Sequence, residues 1–176
     1  MSQTVSHEDF AQLVRQYARQ VIDFTERLLG NRQDAEEAAQ DVFVKAYRSL
    51  SAFRGDAAVQ TWLLRIAYHE AMNRVRRRRP YTVDIEAPSV ASEFGSLTTA
   101  DDDDLSTGRE ERIGLLEEAV GLLPPDDQLL LHLYYYDDRP LRDIAYIMEA
   151  DPNALAVRLY RIRKKLQTMI KQRENE

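Results

Sequence analysis

The chain reads as all-α: two small helical domains joined by a flexible acidic linker, the C-terminal one a helix-turn-helix. Three observations predict this. Glycine and proline number only six each in 176 residues. No segment sustains the period-two alternation of β-branched residues that marks a half-buried strand. Apolar residues recur instead at spacings of three and four, which place them on one face of a helix.

Taken in order, Ser6 is the expected N-cap of a first helix, with Glu8 and Asp9 suiting the positive end of its dipole and Gly30-Asn31 ending it after Leu29. Asp34 is expected to cap the second helix, with Glu37 three residues on as in a capping box. Ala38, Val42, Phe43, Ala46, Tyr47 and Leu50 then share its core face. Arg54-Gly55-Asp56 reads as a turn before a third amphipathic helix carrying Val59, Trp62, Leu63, Ile66, Ala67 and Val75. That helix runs out in Arg76-Arg77-Arg78-Arg79-Pro80. The helical pattern fails from Tyr81, where Ser, Thr, Asp and Ala dominate and apolar residues are isolated, so 81–108 is read as linker. Four short helices are expected beyond it, over 109–123, 125–136, 141–149 and 153–171. Thr107 with Glu110 forms a capping box, and Pro125, Asp126 and Asp127 fit a helix start. Ala150-Asp151-Pro152 joins the last two helices, the second expected to begin at N-cap Asn153. A short turn before an Arg-rich helix is the helix-turn-helix arrangement. Ile144, Ala145 and Met148 would pack against Leu155, Leu159 and Ile162, leaving Ala154, Arg158 and Arg161 outward.

The net charge of −6 conceals a sharp segregation. Residues 1–80 carry 13 basic and 10 acidic side chains, 81–108 carry none and 7, and 109–152 carry 4 and 11. Residues 153–173 carry seven basic side chains, Arg158, Arg161, Arg163, Lys164, Lys165, Lys171 and Arg173, and no acid. Basic stripes on two domains suit nucleic acid, whatever the sum says. With no cysteine there is no disulfide, thiolate zinc site or cysteine nucleophile, and the three histidines, His7, His69 and His132, are too scattered for a metal pair. No metal and no cofactor are expected. No apolar run approaches the ~18 residues of a membrane span, and MSQTVSHEDF lacks the order of a signal peptide. A cytoplasmic protein without membrane insertion is expected.

Two runs carry a family resemblance. Upstream, Ala35-Glu36-Glu37, Gln40-Asp41-Val42-Phe43, Lys45-Ala46-Tyr47-Arg48, Phe53-Arg54-Gly55 and Thr61-Trp62-Leu63-Leu64-Arg65-Ile66-Ala67 follow one another. Downstream stands LPPDDQLLLHLYYYDDRPLRDIAYIMEADPNALAVRLYRIRKKL, from Leu123 to Leu166. Together these resemble the extracytoplasmic-function (ECF) sigma factors of bacterial RNA polymerase. The resemblance implies a region 2 over 1–80, which binds core polymerase and reads and melts the minus-ten element. It implies a linker over 81–108 and a region 4 helix-turn-helix over 109–176 that reads the minus-35 duplex. The chain departs from the family pattern at Glu149, where the turn usually has Gly, and at Asn153-Ala154-Leu155-Ala156-Val157-Arg158, where the family has Gly-Thr-Val-Lys-Ser-Arg.

Residue by residue, the resemblance assigns Glu37, Gln40, Asp41, Lys45 and Arg48 to the clamp helices of the β′ subunit, with Phe43 and Trp62 in the core. It assigns Arg65, Tyr68, Asn73, Arg74, Arg76 and Arg77 to the melted minus-ten strand, with a pocket for a flipped base around residues 78–83. Asn153, Ala154, Arg158, Arg161, Arg163, Lys164 and Lys165 fall to the minus-35 duplex. Core RNA polymerase, through its β′ clamp helices and β flap, and promoter DNA are the implied partners, with an anti-sigma factor, often membrane-anchored among relatives. No phosphate-binding Gly-rich loop is present, so strand opening would draw on binding energy alone. The blander readings are solvated helix faces, a nonspecific anion patch and a plain tether. The acidic block Asp101 to Asp104 suggests that the linker screens the basic stripes in the free protein.

Rival classes are a one-component DNA-binding regulator, which needs a ligand pocket or dimer seam in residues 1–80, a helical adaptor, and an enzyme using Glu70 with His69 or His132 with Asp137. Nothing places a nucleophile or metal beside either pair, so no catalytic residue is assigned.

Overall fold

A computed structural model of the chain describes residues 7–78 and 106–174, with the side chains of His7, 106–112 and Glu174 left aside. Among the described residues the structure is helical throughout, with no strand. The helices are α1 His7–Leu29, α2 Arg32–Ser49, α3 Val59–Arg78, α4 Ser106–Gly121, α5 Pro125–Leu131, α6 Leu141–Met148 and α7 Pro152–Glu174. They form two helical domains, α1 to α3 and α4 to α7. The expected linker, its Asp101 to Asp104 block, the Ser6 cap and the base pocket beyond Arg78 lie outside the described residues, as do the side chains of Thr107 and Glu110.

In the first domain small residues let the helices approach closely. Ala35, Ala38, Ala39 and Ala46 of α2 are buried with Val42 and Phe43, against Val21, Phe24 and Leu28 of α1 and Trp62, Leu63 and Ala67 of α3. Gly30 ends α1 in the left-handed region at φ 69°, a conformation without penalty only for glycine. The fully buried Thr25 hydroxyl lies 3.0 Å from Val21 O and 3.2 Å from Ala35 O, tying α1 to the start of α2. Two expectations are corrected here. The α2 N-cap is Asn31, whose Oδ1 accepts from the Asp34 amide at 3.1 Å, because the helix starts at Arg32, two residues before Asp34. Tyr47 is not core but 44% exposed, its ring meeting Phe10 edge-on at 5.0 Å.

The second domain keeps the expected order. Pro125 opens α5, with Asp126 and Asp127 in the first turn, and the Gln128 side chain donates through Nε2 to Leu123 O at 2.8 Å across the bend. Beyond Leu131 the helix widens into a π-helical turn over His132–Tyr136, which redirects three tyrosines. Ile144, Ala145 and Met148 of α6 are buried with Leu155, Leu159 and Ile162 of α7, as the spacing predicts. The turn between them is built on Glu149 at φ 49°, ψ 48°, with the Ala150 amide returning to Ala145 O at 3.1 Å, a Schellman-type closure. The α7 N-cap is Asp151, not Asn153: its Oδ2 accepts from the Ala154 amide at 3.0 Å.

The two domains pack on each other, α3 against α6 and α1 against α5. This explains why Thr61, Trp62, Leu63 and Leu64 are all buried at the start of α3. A helix enclosed on more than one side has no spare polar face there.

Candidate polymerase and nucleic-acid interfaces

On α2, Glu37, Gln40, Asp41, Lys45 and Arg48 are all exposed, and their spacing of three and four puts them in one row. Three of the five also reach back to α3. Lys45 pairs with Glu70, and Arg74 lies 3.0 Å from Glu70, 3.7 Å from Glu37 and in contact with Asp41. Burial alone would raise the Glu70 carboxyl, but hydrogen bonds from Lys45 and Arg74 outweigh it and hold it below the ordinary range. Glu70 is thus the hinge pin of an ion network joining α2 to α3. Its neighbour His69 points the other way, to Glu149, so the two do not form an acid–base pair.

The α3 residues assigned to the melted strand divide into three groups. Arg74, 20% exposed, belongs to that network. Asn73, Arg76 and Arg77 are exposed, and Arg78 pairs with Asp34 at 2.8 Å. Arg65 and Tyr68 face the second domain. Arg65 Nε donates to Glu149 Oε1 at 3.0 Å while its guanidinium lies 4.7 Å over the Tyr146 ring. The Tyr68 hydroxyl donates to Asp126 Oδ1 at 2.9 Å. Burial, then the Asp126 charge, pushes that phenol above its ordinary value.

The third surface is α7. Asn153 and Ala154 are exposed at its start, and Arg161, Lys164 and Lys165 are exposed further along. Arg163 is half-buried and donates to the Tyr135 hydroxyl at 3.1 Å. Arg158 does not face outward as expected. Its Nε donates to Asp127 Oδ1 at 2.6 Å and its Nη1 to Asp126 Oδ2 at 3.1 Å. Paired acids at the mouth of α5 turn it into the domain. On the opposite side of α7, Ile113, Leu116, Val120, Tyr135, Tyr136 and Ile170 line an open apolar groove.

Sequence reasoning gave Tyr146 no part, read Asp126 and Asp127 only as helix-start acids and Glu70 only as half of a rival acid–base pair, and took Glu149 as an anion near the DNA-reading helix rather than as a partner of α3. Glu149 stood out as a charged residue where the turn usually has Gly. Among the described residues, no group of three or more potential ligands is placed to hold a metal ion, and no helix is long and apolar enough to cross a membrane. His132 Nε2 lies 3.4 Å from Asp137, and the imidazole stacks on Tyr136 at 5.1 Å.

Comparison with known proteins places the whole chain. Residues 13–81 match the family model of Sigma-70 region 2, and residues 113–166 that of Sigma-70, region 4. The RNA polymerase sigma-H factor of Pseudomonas aeruginosa is 31% identical over 159 residues, covering 88% of this chain and 82% of the relative. The chain belongs to the RNA polymerase sigma factors. The ECF sigma-E factor of Escherichia coli is 30% identical over 166 residues, covering 92% and 86% of the two chains. Sigma factor YlaC of Bacillus subtilis is 29% identical over 175 residues, covering 98% and 99%. In fold, the chain is similar to the sigma factor RpoE of Bartonella quintana, solved with the anti-sigma factor NepR, at a TM-score of 0.61 and 22% identity over 93% of this chain and 98% of that one. As a sigma factor the protein works with core RNA polymerase and promoter DNA and directs promoter-specific transcription initiation. Sigma factors are not known as enzymes.

Proposed function

We propose that this sigma factor divides its work by residue as follows, with region 2 over 1–80, a linker over 81–108 and region 4 over 109–176. The exposed α2 row of Glu37, Gln40, Asp41, Lys45 and Arg48 meets the β′ clamp helices. Arg65, Tyr68, Asn73, Arg76 and Arg77 lead the melted minus-ten strand along α3, while Arg74 positions that helix through Glu70 and Asp41. Asn153 and Ala154 enter the major groove at the start of α7, and Arg161, Lys164 and Lys165 take the phosphate backbone. Arg158 and Arg163 hold the recognition helix in place. The observation that carries this reading is the exposed, acid-free basic side of α7 on the second helix of a helix-turn-helix. Positive charge gathered along an exposed helix face draws duplex phosphate. The apolar groove beside α7 suits a protein partner, either the β flap or an anti-sigma factor, and the protein works in the cytoplasm without catalysing a reaction.

The test is to mix the chain with core polymerase and supercoiled genomic DNA and map transcript starts. Discrete starts that core alone does not make are expected. DNA binding by the chain without any such starts would favour a one-component regulator.

A further inference from the structure

Helix α7 buries Leu155, Leu159, Ile162 and Leu166. The line opposite them carries Asn153, Val157, Tyr160 and Lys164, at spacings of four, three and four. Asn153 and Lys164 are exposed and Val157 is partly exposed, while Tyr160 is 47% exposed. The centre of the DNA-facing side is therefore an amide, two apolar side chains and one late cation. A guanidinium, the group that pairs best with the guanine edge, is missing from it. Arg158 is turned away by Asp126 and Asp127, Arg163 donates to the Tyr135 hydroxyl, and Arg161 stands to one side of the line. The Lys164 ammonium lies 5.6 Å from the centre of the Tyr160 ring, a cation–π contact that keeps the ring on this face.

Apolar side chains on a face that meets base edges have one favourable counterpart there. Every other group on the major-groove edge donates or accepts a hydrogen bond, and a carbon surface strips it of water without pairing it, whereas the C5 methyl of thymine is itself apolar. Val157 stands where the family pattern has Ser, so the carbon surface at the centre of this line is particular to this chain. We propose that Val157 and Tyr160 are specificity-determining residues that read thymine C5 methyl groups in the minus-35 duplex, so that this sigma factor selects its upstream element by apolar contact rather than by arginine on guanine. From Val157 to Tyr160 the helix rises about 4.5 Å, three residues at about 1.5 Å each. That is close to the ~3.4 Å between successive base pairs, so the two side chains address thymines in adjacent base pairs.

The proposal rests on the assignment of α7 to the minus-35 duplex, and the experiment separates the two. Holoenzyme assembled from core polymerase and the full chain selects bound duplexes from a random library, which defines the upstream element. Each thymine of that element is then replaced singly by uracil. An adenine–uracil pair keeps every hydrogen-bonding group and loses only the methyl. Two adjacent replacements should each weaken holoenzyme binding roughly fourfold, the worth of one methyl group buried from water, and replacements elsewhere should cost less. In Val157→Ala one of the two uracil penalties should vanish, and in Tyr160→Ala the other. Both substitutions place a strong helix former on the outer side of α7, and an unchanged helical circular-dichroism signal checks that the fold is kept. Uracil tolerated at every thymine, an upstream element without thymine, or variants whose uracil penalties equal those of the unmodified chain overturns the proposal. Lys165→Ala tests the underlying assignment: an unchanged affinity for the upstream element sinks it, and the methyl reading with it. A loss in Lys165→Ala without any uracil penalty in the unmodified chain leaves α7 on the duplex and overturns the methyl reading alone.

Discussion

Arg158 lies on the basic helix α7, yet its guanidinium turns back to Asp126 and Asp127 and keeps only 37% exposure. Periodicity counted it among outward residues because the two acids that claim it lie over thirty positions upstream. Arg158→Ala should therefore cost folding stability, about 1–2 kcal/mol for hydrogen bonds to charged groups at a partly exposed site, and weaken duplex binding alike for every sequence. A urea titration alongside binding to several promoter variants checks this, and a loss confined to one base pair would make Arg158 a base reader instead. Glu70 repeats the lesson on α3. Its carboxyl is held low by Lys45 and Arg74, so its contribution to stability is present above the usual carboxylate pKa of about 4.3 and is lost as the pH falls through its lower folded value. Glu70→Gln should flatten that acid limb when urea midpoints are compared from neutral pH down to about pH 3. Equal slopes for the two proteins would remove Glu70 from the network's energetics.

Helix α7 joins two different tasks on one element. Leu155, Leu159, Ile162 and Leu166 bury one stripe, and Arg161, Lys164 and Lys165 leave charge on the other. Both stripes were legible because a 3.6-residue period separates them without any knowledge of neighbours. Lys165 makes the cleaner probe of the charged stripe. Lys165→Ala should weaken duplex binding of the holoenzyme about equally across sequences and lower the slope of log affinity against log salt by about 1. An unchanged slope would place Lys165 away from phosphate. Helix ends were less legible than helix faces. Asn31 rather than Asp34 caps α2, and Asp151 rather than Asn153 caps α7. In both places several capping residues stand within a few positions, and only the path of the backbone selects one.

At the scale of the whole molecule, the contacts between domains mix ion pairs with an aromatic cushion and one tyrosine hydrogen bond. Partly exposed charges are screened once salt brings the Debye length down to about 3 Å, near 1 M. Raising salt from about 0.05 M toward about 1 M should thus lengthen the distance between labels on α2 and α7 in the free chain, while the far-ultraviolet helical signal stays constant. A distance independent of salt would assign the docking to its apolar part alone. Taken alone, a net charge of −6 argues against a nucleic-acid binder. The sum hides where the acids go, since Asp126 and Asp127 neutralise Arg158 and Glu149 neutralises Arg65.

The sequence by itself determined the helices, the buried faces of α2, α6 and α7, the helix-turn-helix and the family, because each depends on spacing or motif order within a short stretch of chain. It also placed the basic helix, since charge segregation is a property of composition. Which of those cations remain available was decided only in three dimensions. Arg65 meets Glu149 across 84 positions and Arg74 meets Asp41 across 33, and no local pattern encodes such a pairing. The tertiary structure alone also set the orientation of α3, whose buried start faces both domains. A helix's own periodicity shows that it has an apolar side and leaves open how many partners will enclose it.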